Sequence, residues 1–218
     1  MQLSITLIII IVTALISIGG FNNQKMIDDL IFYPPAVSKR GQFYRFFSCG
    51  LIHADWAHLI FNMLALYFFG TGVEKEFVNL FDKPGQYIYL LMYVSALLIS
   101  ILPSYFRHRD NYHYRSLGAS GAVSAVIFAG LLLSPLSGVM IFPIPFPIPG
   151  FIFAPLYLII TAFLDKRGRD HINHSAHLWG AIYGLVFVIA AARAIEYNVI
   201  EDAAEQIKLY LRSKGLIG

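Results

Sequence analysis

Four polar side chains stand near the starts of apolar segments, and their types match the parts that acyl transfer needs. Ser120 lies in "SLGASGAVSAVIFAGLLLS" (Ser116 to Ser134), His177 in "SAHLWGAIYGL", and His58 and Asn62 in "HADWAHLIFNMLALYFFG". A hydroxyl within reach of an imidazole makes a nucleophile with a general base. His58 and Asn62 are four residues apart, so a helix puts them on one face, where both are able to donate hydrogen bonds to a developing oxyanion. The small residues around Ser120 leave backbone N–H groups free to face the same charge, and a helix start adds its dipole.

The elements that must position these groups follow from composition. The 218-residue chain is 57% hydrophobic, 15% aromatic and only 13% charged, with mean hydropathy +0.64. That lies outside the range of soluble domains, because so few charged side chains make no solvated shell. The chain reads as an all-α polytopic membrane protein. A net charge of +3 gives no reason to invoke nucleic acid, and the single cysteine, Cys49, excludes an internal disulfide framework and makes a thiolate metal site improbable. A helix needs about 20 mostly apolar residues to cross the hydrocarbon, and six segments come close: Leu3 to Phe21, Ala57 to Val73, Tyr87 to Leu102, Leu117 to Ser134, Gly150 to Leu164 and Ser175 to Ala192. Helices two, four and six then run in one direction, so His58, Asn62, Ser120 and His177 share one depth whichever face is outside.

Other segments support the bundle. Gly180 and Gly184 form a small-xxx-small face able to meet Gly121, Ala122 and Ala125, and close approach of that kind is what brings Ser120 within reach of His177. Asn22 to Asp55 is too apolar for a solvated linker and is expected at the membrane interface, with Tyr33, Phe43, Tyr44, Phe46 and Phe47 as its aromatic belt. "FPIPFPIPG" (Phe142 to Gly150) is an extended loop, because its alternate prolines forbid helix. Residues 1–193 form the membrane domain. In the tail, 194–218, Ile195, Val199, Ala203, Ile207 and Leu211 mark an amphipathic helix lying on the membrane or on the bundle.

Blander readings compete at each position. Small residues at Ser116 to Ala125 also suit plain helix packing, and His58 and Asn62 suit plain interhelical hydrogen bonding. His171, His174 and His177 make an HxxHxxH, yet steps of three drift around a helix and no carboxylate or cysteine completes a ligand set, so neither metal nor cofactor is expected. His53, His108 and His113 read as surface residues. Arg45 reads as ordering the long loop, and Glu74 as ending helix two.

At these residues the chain resembles the rhomboid intramembrane serine proteases. "GASG" (Gly118 to Gly121), "HLIFN" (His58 to Asn62), "AHLWGAIYG" (Ala176 to Gly184) and "YRFFSCGLIHADWAH" carry the likeness, with Tyr44-Arg45 where the family usually has Trp-Arg. The resemblance implies a six-helix rhomboid-like bundle and a Ser120/His177 dyad without a carboxylate. It puts His58, Asn62 and the backbone at Gly118 to Ser120 around the oxyanion. Asp55, Asp165 and Asp170, the loop acids, are not expected to complete a triad. The family usually has an aromatic residue four after the serine, supporting the histidine; here it is Ser124, so either Tyr183 or Trp179 packs on His177 or the Ser124 hydroxyl bonds it.

The resemblance further implies transmembrane protein substrates, cleaved near their extracytoplasmic ends, with both termini cytoplasmic. Ten of the 16 Lys and Arg residues then fall outside, against the positive-inside rule; the family topology is preferred because several of them sit in the long first loop. The expected location is the bacterial cytoplasmic membrane, and the oligomeric state is not legible. Two rivals are a non-catalytic relative that binds transmembrane segments, which would lack the serine or the histidine, and a small transporter, which would place polar groups at mid-bilayer.

Overall fold

In the computed structural model, residues 4–141, 144–167 and 172–218 are described. The expected start of the first span at Leu3, and Asp170 and His171, lie outside them. The helices in chain order are α1 (Ile5–Phe21), α2 (Gln24–Leu30), α3 (Pro34–Arg40), α4 (Arg45–Ser48), α5 (Trp56–Ala65), α6 (Thr71–Phe81), α7 (Gly85–His108), α8 (Ser120–Leu133), α9 (Gly150–Arg167), α10 (His174–Arg193) and α11 (Val199–Ser213). A π-helical turn, Leu66–Gly70, joins α5 to α6 as one rod. Two short strands, β1 (Gly138–Val139) and β2 (Ile148–Pro149), pair antiparallel across the proline-rich loop.

Among the described residues, three helical runs are long and apolar enough to cross a membrane: Trp56–Phe81, Gly85–His108 and His174–Arg193. Ile5–Phe21 and Ser120–Leu133 are apolar but shorter. The first helix distributes its side chains in the inverse of a water-soluble bundle. On α1 the buried residues are Thr6, Thr13, Ser17 and Gly20, while Leu7, Ile11 and Leu15 are exposed. Exposed apolar rows also run along α5 (Ile60, Phe61, Leu64) and α9 (Leu156, Ile159, Phe163), as a lipid-facing surface requires.

Glu74 does not end the second rod, which continues to Phe81. Its carboxylate instead accepts from the Ser4 hydroxyl (2.6 Å), the Ile5 N–H (2.7 Å) and the Thr6 N–H (3.0 Å), satisfying the orphan amides at the start of α1.

α8 is the centre of the bundle. Nine of its 14 residues are buried, and Gly180 and Gly184 of α10 press on it. A Cβ built at Gly180 would lie 2.0 Å from the Gly121 carbonyl oxygen, and one at Gly184 2.1 Å from that of Ala125. The two helices therefore meet backbone to backbone. These pairs also show α8 and α10 running in the same direction. α7 runs the other way, since Ser104 bonds Asn173 at the start of α10 while Ser95 bonds Tyr183 further along it.

The long loop carries more structure than its aromatic composition suggests. It folds into α2, α3 and α4 around a core of its own, with Phe32, Val37, Phe46 and Cys49 buried against Ile101 of α7. Phe46 thus leaves the expected aromatic belt, and Tyr33 lies under the Arg115 guanidinium at 3.6 Å; Phe43, Tyr44 and Phe47 stay exposed. Arg45 orders this unit by donating to the Asp28 carbonyl (2.8 Å), the Ile31 carbonyl (2.7 Å) and the Gln42 side chain (2.7 Å). α11 docks on α8 and α10, burying Val199 and Ala203 and setting Tyr210 against Phe151 of α9. Ile195 falls outside that helix and is exposed.

Candidate active site

The segment entering α8 is held from both sides. Ser116 and Phe32 exchange backbone hydrogen bonds (3.1 and 3.0 Å), and the Gly118 N–H donates to the Cys49 carbonyl at 2.8 Å. The Ala119 N–H donates to His53 Nε2 at 3.4 Å. Gly118 has φ +111, a region that favours glycine, and a Cβ there would sit 2.6 Å from the His58 ring. Its lack of a side chain serves backbone conformation and space together. Ser120 then starts α8, where the N–H has no intrahelical acceptor.

Ser120 Oγ lies 2.7 Å from His177 Nε2. Two features fix this distance. One is the backbone contact of α8 with α10, whose nearest point, Gly121 with Gly180, adjoins Ser120 and lies one turn from His177. The other is Asn173, which caps α10. Its Oδ1 accepts from the Ala176 N–H (3.0 Å) and the Ser104 hydroxyl (3.1 Å), and its Nδ2 donates to the Tyr114 hydroxyl (3.0 Å) and Ser116 Oγ (3.1 Å). One amide thereby ties α7, the segment before Ser120 and the helix carrying His177.

His58 and Asn62 face the same space. Asp55 Oδ1 accepts from the His58 N–H at 2.7 Å and so caps α5. His58 Nδ1 accepts from the Ala54 N–H at 3.5 Å, which leaves the ring proton on Nε2, the nitrogen beside Gly118. Asn62 Nδ2 donates one hydrogen to the His58 carbonyl (2.9 Å) and keeps a second. Ser120, His177, His58, Asn62 and Gly118 all line one cavity of about 820 Å³. A hydroxyl, an acceptor nitrogen and several donors in one cavity are able to carry out acyl transfer.

The two loop acids among the described residues, Asp55 and Asp165, are bonded to other partners than His177. Asp55 is the α5 cap, and Asp165 pairs with the Arg107 guanidinium at 3.1 and 3.2 Å. Cys49 is buried, which pushes its thiol up to about 12 and keeps it from being a thiolate. Among the described residues no group of three His, Cys, Asp or Glu is placed to hold a metal. The three expected supports of the His177 ring are differently engaged: the Tyr183 hydroxyl bonds Ser95 (2.6 Å), Ser124 Oγ meets the Tyr157 hydroxyl of α9 (3.4 Å), and Trp179 is exposed. Among the described residues, the His174 ring lies edge-on to that of His177, with centroids 6.2 Å apart.

Two residues of the site escaped the sequence reading. Asn173 carried the ordinary signal of an N-cap, an asparagine just before an apolar helix. His53, read as a surface residue, is 1% exposed; burial lowers its pKa to about 4. Of the other two, His108 is half-buried and stacks on Tyr114 at 3.9 Å, and His113 is exposed at the cavity mouth.

Residues 40–194 match the family model of the Rhomboid domain. The chain is 30% identical over 182 residues to RHOMBOID-like protein 12, mitochondrial, of Arabidopsis thaliana, covering 79% of this chain and 52% of that protein. It is 25% identical over 170 residues to Rhomboid protease AarA of Providencia stuartii, covering 71% and 58%. It is 27% identical over 191 residues to Rhomboid protease GlpG of Haemophilus influenzae, covering 85% and 90%. The chain thus spans about half the length of several relatives it matches and nearly all of the last.

Proposed function

The chain belongs to the rhomboid family, and from that premise we propose that it is an intramembrane serine endopeptidase working through a Ser120/His177 dyad. The observation that carries the reading is the 2.7 Å approach of Ser120 Oγ to His177 Nε2 in a cavity that also receives His58 and Asn62.

In this mechanism Ser120 Oγ attacks the scissile carbonyl as His177 Nε2 takes its proton. The oxyanion receives hydrogen bonds from His58 Nε2, from the uncommitted hydrogen of Asn62 Nδ2 and from the Ser120 N–H. Because the Gly118 and Ala119 amides are already engaged, Gly118 lines the oxyanion site chiefly by making room for the His58 ring. His177 then protonates the leaving amine, and water, activated by the same imidazole, hydrolyses the acyl-enzyme. Among the described residues no carboxylate bonds His177, which is held by the placement of its helix, and slow turnover is the expected cost.

The substrate in this reading is a transmembrane helix that enters past α9. Tyr157 meets Ser124 on α8, and much of the opposite side of α9 is exposed, which suits a movable element. A 14-residue α8 reaches only about 21 Å, against about 30 Å of hydrocarbon. This supports a Ser120 below the membrane surface, in a cavity open to water. We further propose six crossings with both termini cytoplasmic, a membrane domain over 1–193 followed by the tail, and a bacterial cytoplasmic membrane as the location. The near-complete coverage of the Haemophilus relative favours that membrane, although the relatives also include a mitochondrial protein. Reconstitution into proteoliposomes with a single-span substrate tests the function. Wild type is expected to yield a cleaved product, and Ser120→Ala and His177→Ala none; an uncleaved substrate with wild type would favour a non-catalytic rhomboid-like protein.

A further inference from the structure

His53 is a buried titratable group that the mechanism above does not use, and it is fully hydrogen-bonded in one direction only. The Ala119 N–H can only donate, so His53 Nε2 must accept (3.4 Å). The ring proton is then on Nδ1 and is donated to Ser17 Oγ at 2.9 Å. The Ser17 hydroxyl in turn donates a hydrogen bond to the Leu51 carbonyl at 2.9 Å. Every donor in this chain meets an acceptor, and reversing the tautomer would set two N–H groups against each other. The relay runs from the amide immediately before Ser120 through His53 and Ser17 of α1 to the Leu51 carbonyl. The His53 ring also stands edge-on to His58, with centroids 4.9 Å apart.

We infer that His53 is a positioning residue: Ser17 of α1 fixes its tautomer, and its Nε2 holds the Ala119 peptide so that Ser120 and the His58 donor keep their places. This rests on the reading of Ser120 as the nucleophile. The role needs an acceptor at the Nε2 position, which sets it apart from simple filling of space. Glutamine places its Oε1 where Nε2 stands, whereas asparagine reaches only the Nδ1 position and keeps the link to Ser17.

The test compares His53→Gln, His53→Asn and Ser17→Ala with wild type in the full chain, in detergent. One readout is the rate of covalent labelling of Ser120 by a fluorophosphonate, in which Oγ displaces fluoride from phosphorus. The other is hydrogen exchange of the peptide containing Ala119. His53→Gln is expected to label within about threefold of wild type with the Ala119 amide still protected. His53→Asn is expected to lose about tenfold or more in labelling and in protection, the scale of one buried hydrogen bond. Ser17→Ala is expected to shift both readouts the same way by a smaller factor, and it decides the matter should His53→Asn fail to fold. Equal behaviour of the glutamine and asparagine variants, a better asparagine, or a Ser17→Ala indistinguishable from wild type would each overturn the inference. A wild type that never labels at Ser120 would instead overturn the nucleophile reading, and Ala119 exchange would still decide what His53 holds.

Discussion

Substituting alanine for Gly180 puts the geometry of the dyad under a calculable load. The added Cβ would lie 2.0 Å from the Gly121 carbonyl oxygen, while a carbon–oxygen contact is tolerated at about 3.3 Å, so α8 and α10 must part by about 1.3 Å at that level. Gly121 adjoins Ser120, and Gly180 lies one turn from His177. Most of the displacement therefore reaches the dyad, stretching the 2.7 Å Ser120–His177 contact to about 4 Å, beyond hydrogen-bonding range. A misplacement of that size costs on the order of 100-fold in rate. Gly184→Ala is the control, because its Cβ meets the Ala125 carbonyl at 2.1 Å, an equal clash about 6 Å farther from His177 along the helix. Both variants should lose about 1–3 kcal/mol of stability by overpacking. Fluorophosphonate labelling should fall about 100-fold for Gly180→Ala and less than about tenfold for Gly184→Ala. Labelling rates and thermal unfolding in one detergent separate the two effects. A folded Gly180→Ala that labels at the wild-type rate would refute the claim that backbone contact sets the dyad distance.

Asn173→Ala removes a helix cap and three further hydrogen bonds, so unfolding should occur about 1–2 kcal/mol earlier, with labelling reduced because the start of α10 loosens; this is read by thermal melts beside labelling rates. Glu74→Ala leaves three donors of α1 without their acceptor and should cost about 3 kcal/mol. Labelling by its folded fraction should be unchanged, since Glu74 lies about 18 Å along the rod from Asn62. Asn62→Ala should lower substrate turnover with no change in melting temperature, and unchanged turnover would assign Asn62 to structure alone. Because the folded-state pKa of His53 is lowered to about 4, the unfolded chain takes up its proton first, near pH 6.5. Stability should therefore fall as pH drops from about 6.5 toward about 4, and His53→Gln should remove that part of the slope in pH-dependent melts.

The most legible residues were those whose chemistry conflicts with their surroundings. Ser120, His177, His58 and Asn62 stand out because polar groups in apolar runs cost energy unless they are used. Gly180 and Gly184 stood out because four-residue spacing predicts one helix face. The second rod outruns its apolar segment through Glu74, Lys75 and Glu76. These charges end a hydropathy run but, as good helix formers, do not end the helix. The long loop was harder still. Its core joins Phe32 to Ile101, and its backbone ties run from Phe32 to Ser116 and from Cys49 to Gly118; none of these long-range pairings leaves a periodic trace in sequence. His53 was lost for the same reason, since only the approach of α1 and the Ala119 amide distinguishes it from a solvated loop histidine.

The most direct test of the central claim is mass spectrometry of the fluorophosphonate-treated protein, mapping the adduct along the chain in wild type and in His177→Ala. The account predicts a single adduct on Ser120 that depends on His177. An adduct on another residue, or equal labelling of Ser120 without the imidazole, would contradict it.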